Sequence, residues 1–216
     1  QQPKIYQHEP YQQINMKNIL IAGAGKGIGL ATAQLLQNEY HLSLITRTET
    51  EAIKNIRGNL FFLDIVKDNT SELDTLPEDL HGLLYCPGSI TLKPFTRLTP
   101  DDFINDFYQN VLGAVKLIQY CLPRLKKSGG ASVVLFSTVA VQTGMAFHSS
   151  IAVAKAGVEG LCRSLAAELA ANKIRVNAIA PSLTNTPLAA GLLNTTEKME
   201  ASAKRHPLMR IGDAND

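Results

Sequence analysis

The chain of 216 residues is 45% hydrophobic and 19% charged, with a formal net charge of +2. This length suffices for one domain with a sizeable core, and the composition is ordinary for a globular protein. The small net charge, without a basic cluster, argues against nucleic-acid binding, and no apolar run approaches the roughly 18 residues that span a membrane. Three cysteines without metal-ligand spacing, and an N-terminus without a signal-peptide pattern, predict a reducing compartment, the cytoplasm, and no metal site.

The beginning of the chain differs in composition from the rest. Residues 1–16 are rich in glutamine, contain prolines and show no hydrophobic periodicity. We interpret residues 1–16 as an N-terminal extension and residues 17–216 as one domain.

A strand, a glycine-rich turn and a helix follow one another at the start of this domain. The apolar run 18–21 predicts a buried strand, and residues 28–36 carry apolar side chains spaced like one face of a helix. Between them, Gly23, Gly27 and Gly29 follow the spacing G-x-x-x-G-x-G. Glycines permit a sharp turn and a close approach of the backbone to a pyrophosphate, and a helix N-terminus offers free N–H groups. The stretch predicts a phosphate site, although alone it is also compatible with a flexible turn that binds no ligand.

The second predicted strand, 41–45, leads into Thr46-Arg47-Thr48. In dinucleotide-binding folds an acid after this strand bonds the ribose 2′-hydroxyl, whereas an arginine accommodates a 2′-phosphate. This chain has no acid there, and Lys26 in the glycine turn adds a second cation. The pattern predicts NADP(H) rather than NAD(H). The alternative is that both cations are ordinary solvated side chains.

Four further segments predict strands, and the segments between them predict helices. The strands predicted at 60–63 and 82–86 are so apolar that they must be covered on both faces, which is typical of a parallel sheet between two helical layers. Pro123 is expected to kink the long helix 100–127 or end it early, and small residues in the helix 151–172 are expected to let another helix approach closely. The further segments are the strands 60–63, 82–86, 131–136 and 174–179, and a last helical segment at 188–205. The fold class is therefore α/β, with a Rossmann-type doubly wound parallel sheet in a three-layer α/β/α domain.

Several motifs, in this order and at this spacing, resemble those of the short-chain dehydrogenase/reductase family from Lys17 to the end of the chain. They are Gly23-x-x-x-Gly27-x-Gly29, Asp64 after the third strand, Asn110 in the long helix, Lys155, the segment 175–181 and Thr186. The resemblance implies an NAD(P)-binding domain over 17–216, a small-molecule substrate, and a homotetramer or homodimer built through the two long helices. The family adds a helix and a seventh strand beyond the point where this chain stops. We therefore expect a sheet without that final strand, as in a truncated product.

The resemblance also implies roles for individual cofactor-binding residues. The glycine turn would hold the pyrophosphate, and Asp64 and Ile65 would face the adenine. Lys155 would bond the nicotinamide ribose, and Leu183 and Thr186 would orient the carboxamide. The residues assigned to the cofactor are Gly23, Lys26, Gly27, Ile28, Gly29, Arg47, Thr48, Asp64, Ile65, Pro87, Gly88, Lys155, Pro181, Leu183 and Thr186.

The expected catalytic centre departs from the family pattern. The family's Tyr-x-x-x-Lys motif places a tyrosine where this chain has Ile151, and the serine expected thirteen residues earlier is Thr138. His148 lies, relative to Lys155, where the enoyl-reductase branch has its tyrosine, and it is the substitute proton donor that we expect. The alternative is a loop histidine that bonds locally. Asn110 would hold a helix kink and a water that relays protons to Lys155. The expected catalytic residues are Asn110, Thr138, His148 and Lys155.

Two functions remain open from the sequence. The first is an NADP(H)-dependent oxidoreductase that transfers hydride to or from a carbonyl, an alcohol or an activated alkene of a small apolar molecule. The second is an NADP(H)-binding regulatory or structural subunit with little turnover, which Ile151 favours. Tyr85-Cys86-Pro87-Gly88, which replaces the family's Asn-Asn-Ala-Gly, is a further departure close to the expected site.

Overall fold

The centre of the molecule is one six-stranded sheet in which all strand pairings are parallel. The computed structural model describes residues 16–216, so nearly all of the proposed extension lies outside the described residues. The strands are β1 (Asn18–Ala22), β2 (His41–Thr46), β3 (Asn59–Phe62), β4 (Gly82–Tyr85), β5 (Ala131–Phe136) and β6 (Ile174–Ile179). Their order, β3-β2-β1-β4-β5-β6, is doubly wound and confirms the predicted fold class. In such a sheet the connections after β1 and β4 leave toward opposite faces, and a crevice opens between them at the carboxyl ends of these strands.

Helices cover the sheet on both faces. One core cluster joins the sheet to the layer that contains α4 and α6, and a second joins it to the layer that contains α1. The helices are α1 (Gly27–Leu36), α2 (Glu51–Lys54), α3 (Pro100–Phe107), α4 (Gly113–Lys127), α5 (Ala140–Thr143), α6 (Ser149–Leu169) and α7 (Thr196–Lys204). Among the helices of residues 16–216, none has the length and apolar character that crossing a membrane requires.

Strand β1 shows why such apolar strands must lie between two layers of helices. Leu20 and Ile21 are neighbours, both without solvent exposure, and each belongs to a different core cluster. Successive side chains of a strand point to opposite faces, so one residue packs on each helical layer. The hydrophobic burial on both sides fixes the end of β1, and with it the glycine turn that follows.

The long helix predicted at 100–127 is divided by a π-helical turn at Tyr108–Leu112. Of the two expectations for Pro123, the early end of the helix is wrong: α4 runs through it to Lys127. Proline removes one backbone hydrogen bond, but Cys121 and Leu125 on either side of it are fully buried and hold the helix against the core. The interruption lies instead around the residue that the family resemblance associates with a kink.

A buried tyrosine accompanies the π-helical turn. The hydroxyl of Tyr85 donates a hydrogen bond of 2.8 Å to the carbonyl of Gln109, within the turn. A Cβ at Gly113 would overlap the Tyr85 hydroxyl, so glycine is needed for this contact. Tyr85 stands where the family has asparagine, and in this chain it packs the end of β4 against the widened turn.

Candidate active site

A cleft of about 380 Å³ lies at the carboxyl ends of the central strands, beside the N-terminus of α1. This is where open α/β sheets bind their ligands. Most of the residues assigned to the cofactor from the sequence line it, namely Gly23, Lys26, Gly27, Ile28, Gly29, Arg47, Thr48, Asp64, Ile65, Pro87, Gly88 and Thr186. Lys155, Pro181 and Leu183 are not among the lining residues. The carbonyl of Pro181 instead accepts from the N–H of Val139, and that of Leu183 accepts from the N–H of Gly212.

The glycine turn has the geometry that a phosphate cradle requires. Gly23 and Gly27 have φ angles of +77° and +57°, which disfavour other residues. A Cβ at Gly29 would overlap the carbonyl of Gly23, with its carbonyl carbon only 2.9 Å away. Lys26, at the N-cap of α1, makes no side-chain cap, and the first turn holds no acid. The N–H groups and the positive end of the helix dipole therefore fit an anionic ligand such as a pyrophosphate.

Two cations and one carboxylate belong to the lining of the cleft. Lys26 and Arg47 both line the cleft, as does Asp64. Arg47 Nη1 lies 3.9 Å from Asp64 Oδ2, and the side chain of Arg47 is 63% exposed. An ion pair this long and this exposed contributes little energy, so the Arg47 guanidinium can bind another anion such as a phosphate.

Asn110 and Lys155 border the same space next to Gly88. A Cβ at Gly88 would lie 3.1 Å from Asn110 Oδ1 and 3.6 Å from Lys155 Nζ. Asn110 is 1% exposed, and its Nδ2 donates to Ser89 Oγ at 3.0 Å and to the Asp106 carbonyl at 2.8 Å. Its Oδ1 is buried and finds no hydrogen-bond donor within residues 16–216. A buried acceptor of this kind is costly, so the site suits a ligand or water that donates to it.

Lys155 carries an ammonium group in a largely buried place. Its Nζ donates a hydrogen bond of 2.7 Å to the carbonyl of Phe136. Burial lowers the pKa of Lys155 to about 8, and the interactions with Cys86 and Asp106 oppose that lowering. Burial raises the pKa of the Cys86 thiol to about 12, so this side chain is neutral near pH 7.

The other two expected catalytic residues lie on the segments before α5 and α6. Thr138 Oγ1 accepts from the N–H of Ala140 at 3.3 Å. His148 immediately precedes α6, which begins at Ser149 and not at the predicted Ile151, and its Nδ1 lies 2.7 Å from the carbonyl of Ala146. Within the described chain neither side chain hydrogen-bonds to Asn110 or Lys155. The structure thus brings Asn110 and Lys155 together and leaves Thr138 and His148 with local bonds.

Sequence reasoning missed several residues of the site. The cleft is also lined by Gly25, Ile45, Thr46, Thr50, Leu63, Cys86, Gln109, Pro187 and Leu188. It also missed Asp106, which interacts with Lys155 and is 1% exposed. The only signal in the sequence was the unusual Tyr85-Cys86-Pro87-Gly88 segment, which places Cys86 in the cleft wall.

Comparisons with known proteins agree with this architecture. A family model described as Enoyl-(Acyl carrier protein) reductase matches residues 23–216. A tropinone reductase homolog from Arabidopsis thaliana is 29% identical over 214 residues, which cover 92% of this chain and 82% of the relative. Carbonyl reductase family member 4 from Danio rerio is 29% identical over 206 residues, which cover 90% and 84%.

Comparison with solved structures shows the same similarity in the fold. The structure of a short-chain type dehydrogenase/reductase from Mycobacterium ulcerans is 25% identical and has a TM-score of 0.82 to this chain, over 92% of this chain and 79% of the other. The family match extends over most of the chain, from the glycine turn to the last residue. The chain therefore belongs to the short-chain dehydrogenase/reductase family of oxidoreductases.

Proposed function

We propose that the protein is an NADP(H)-dependent oxidoreductase that transfers hydride to or from a carbonyl, an alcohol or an activated alkene of a small apolar molecule. The observation that carries this proposal is that Asn110 and Lys155 lie together beside Gly88, which lines the same cleft as the glycine turn. The phosphate-binding turn and these two polar side chains are therefore neighbours. In this proposal residues 17–216 form the cofactor-binding domain.

The preference for NADP(H) rests on charge at the ribose end of the cleft. Lys26 and Arg47 line it, and Arg47 follows β2 where an acid would select NAD(H). A 2′-phosphate can form charge-assisted hydrogen bonds with both side chains. Asp64 faces Arg47 at 3.9 Å and offsets part of the positive charge, so we place the preference on both cations together.

The cofactor preference is tested by titrating the protein with NADPH and NADH. We expect tighter binding of NADPH, and we expect Arg47→Asp to lower NADPH affinity while sparing NADH. Arg57→Asp makes the same charge change at an exposed arginine outside the lining of the cleft and should change neither affinity. If the wild type binds NADH as tightly as NADPH, the assignment is wrong.

Proton transfer falls to residues other than the family's tyrosine. When bound, the nicotinamide would supply or accept the hydride. The Thr138 hydroxyl can donate a hydrogen bond to a substrate oxygen, and the imidazole of His148 can act as an acid near neutral pH. Asn110 and Lys155 would fix a water or a ribose hydroxyl through Oδ1 and the ammonium. In this division of roles, polar residues near Ile151 carry the proton chemistry that Ile151 itself cannot perform.

Turnover is tested with purified protein, NADPH and a panel of carbonyl compounds, by following the absorbance of NADPH. We expect oxidation of NADPH that depends on the carbonyl compound. His148→Phe should abolish it, because removal of a general acid costs about 10²–10⁴-fold in rate. Full activity in His148→Phe would show that His148 is structural and would leave Thr138 or a water at Asn110 as the donor.

One observation favours a second function, an NADP(H)-binding regulatory or structural subunit. Ile151 occupies the position of the family's proton donor and is 4% exposed, so it is part of the packing of α6. A protein of this kind would bind NADPH tightly and leave it unoxidised with every carbonyl compound tested. The two experiments above therefore separate the two functions.

A further inference from the structure

The π-helical turn at Tyr108–Leu112 contains a backbone carbonyl that the helix itself bypasses. In a regular α-helix the N–H of Gly113 would donate to the carbonyl of Gln109, four residues earlier. In this protein the same N–H donates to the carbonyl of Tyr108, five residues earlier. The Gln109 carbonyl therefore loses its usual donor, and in a partly buried place it needs another one.

Tyr85 supplies that donor from the end of β4. Its hydroxyl donates a hydrogen bond of 2.8 Å to the Gln109 carbonyl, and its side chain is 3% exposed. A Cβ at Gly113 would overlap this hydroxyl, so the glycine leaves the room that the contact needs. In a regular helix the Gln109 carbonyl would point at the Gly113 N–H. The buried hydroxyl would then lose a well-placed acceptor, which is costly.

The same turn carries Asn110 into the site. Asn110 lies within the turn, and its Oδ1 would be 3.1 Å from a Cβ at Gly88. Its side-chain amide is oriented locally, since Nδ2 donates to the carbonyl of Asp106. That local bond does not fix the backbone of the turn relative to α4. A change from the π-helical to a regular turn would rotate the residues before it by about 100° relative to α4.

We propose that Tyr85 is a positioning residue of this site, whose hydroxyl holds the π-helical register of the turn and thereby places Asn110 beside Gly88 and Lys155. The inference rests on the proposed function, because the place of Asn110 matters to the reaction only if the site is catalytic. The alternative is that the hydroxyl merely fastens β4 to the helix, and the turn would then keep its register without it.

The first test reads the register itself and needs neither cofactor nor turnover. In deuterated protein labelled with ¹³C and ¹⁵N, NMR couplings across hydrogen bonds connect the nitrogen of Gly113 with the carbonyl carbon that accepts from it. The wild type should connect Gly113 with Tyr108, and Tyr85→Phe, which removes only the hydroxyl, should connect it with Gln109. A connection with Tyr108 in both proteins overturns the proposal.

Tyr120→Phe is the matched control for the loss of a tyrosine hydroxyl. The Tyr120 hydroxyl donates to Asp74 Oδ1 at 2.6 Å, from a position on α4 outside the turn. Its removal should leave the Gly113 connection and the side-chain amide signals of Asn110 unchanged, the latter being identified by their loss in Asn110→Ala. Tyr85→Phe should move these signals. Equal changes in Tyr85→Phe and Tyr120→Phe overturn the proposal.

A further variant covers the case in which Tyr85→Phe does not fold. Tyr85→Phe with Gly113→Ala puts a methyl group where the hydroxyl was, at 3.1 Å from the ring carbon Cζ and 3.2 Å from Val66 Cγ2. Alanine also favours a regular helix over glycine. In this double variant the nitrogen of residue 113 should connect with Gln109, and a connection with Tyr108 overturns the proposal.

The last test asks whether Tyr85 acts through Asn110. In NADPH-dependent turnover Tyr85→Phe should lower kcat about tenfold or more, because a small displacement of a group in the site costs at least that much. In the Asn110→Ala background the same change should have little further effect. An equal fall in both backgrounds overturns the proposal. A wild type without turnover would count against the proposed function, and the NMR readouts would still decide the register.

Discussion

At the residue scale, position 151 determines whether the family's proton donor is present. Ile151 lies about one helical turn before Lys155 on α6. Ile151→Tyr rebuilds Tyr-x-x-x-Lys and should raise NADPH-dependent turnover by about 10²–10⁴-fold over Ile151→Phe, since a positioned general acid contributes that much. The phenylalanine variant adds the same ring without the hydroxyl. Equal rates in two folded variants, judged by their thermal unfolding, would contradict the prediction.

The charge of Lys155 should appear in the pH dependence of cofactor binding. Burial lowers its pKa to about 8, so raising the pH through that value removes the ammonium charge from the folded protein. NADPH affinity, measured by fluorescence titration, is expected to fall as the pH rises through about 8. Arginine stays protonated over this range, so Lys155→Arg should lack this fall. A parallel decline in both proteins would show that another group titrates.

At the element scale, the backbone atoms of the glycine turn lie so close together that they leave no room for a side chain. A Cβ at Gly29 would overlap the Gly23 carbonyl. Gly29→Ala is therefore expected to displace the N-terminus of α1, to weaken NADPH binding at least about tenfold, and to lower the thermal midpoint. Gly191→Ala places the same methyl group in open space and serves as the control. Unchanged NADPH affinity in Gly29→Ala would exclude this turn as the phosphate site.

The hydrophobic pattern of the sequence predicted the regular strands and helices, but it did not predict the irregular elements. Strands β5 and β6 were predicted at the positions where the structure has them: β5 is a largely apolar run, and in β6, at the edge of the sheet, the apolar residues alternate with Arg175 and Asn177. The π-helical turn at Tyr108–Leu112 was not predicted, since it depends on Tyr85, which is distant in sequence. The expected early end of the helix at Pro123 was wrong, because local helix propensity takes no account of the burial of neighbouring residues.

The same limit applies to the site. Glycine spacing and the residue after β2 predicted part of the cleft lining, because a turn close to a phosphate imposes glycine, and the family resemblance supplied residues such as Asp64 and Thr186. The hydroxyls around Asp106 come from Ser89, Thr91 and Ser150, up to 44 residues away in sequence, and no motif connects them. The packing of α3 against α6 brings Ser150 to this carboxylate, and the segment after β4 brings Ser89 and Thr91.

At the scale of the whole molecule, the layer that holds α3 and α6 exposes apolar side chains. Ile104 and Phe107 on α3 are 49% and 38% exposed, and Val153 on α6 is 56% exposed. On α6, Gly157 lies against Phe107 and Val111, where a Cβ would approach both at 3.3 Å, so this glycine already serves close packing within the chain. The exposed apolar side chains remain to be covered, which predicts association with a second copy.

We expect a homodimer or homotetramer in sedimentation velocity at micromolar concentration. Val153→Asp should shift the protein toward the monomer, because a charge in an apolar contact loses its hydration without gaining a partner. Leu35→Asp places the same charge on α1, in the opposite layer, at a leucine that is 63% exposed, and should leave the association intact. A wild-type monomer would contradict the prediction, and dissociation in both variants would place the contact elsewhere than on α6.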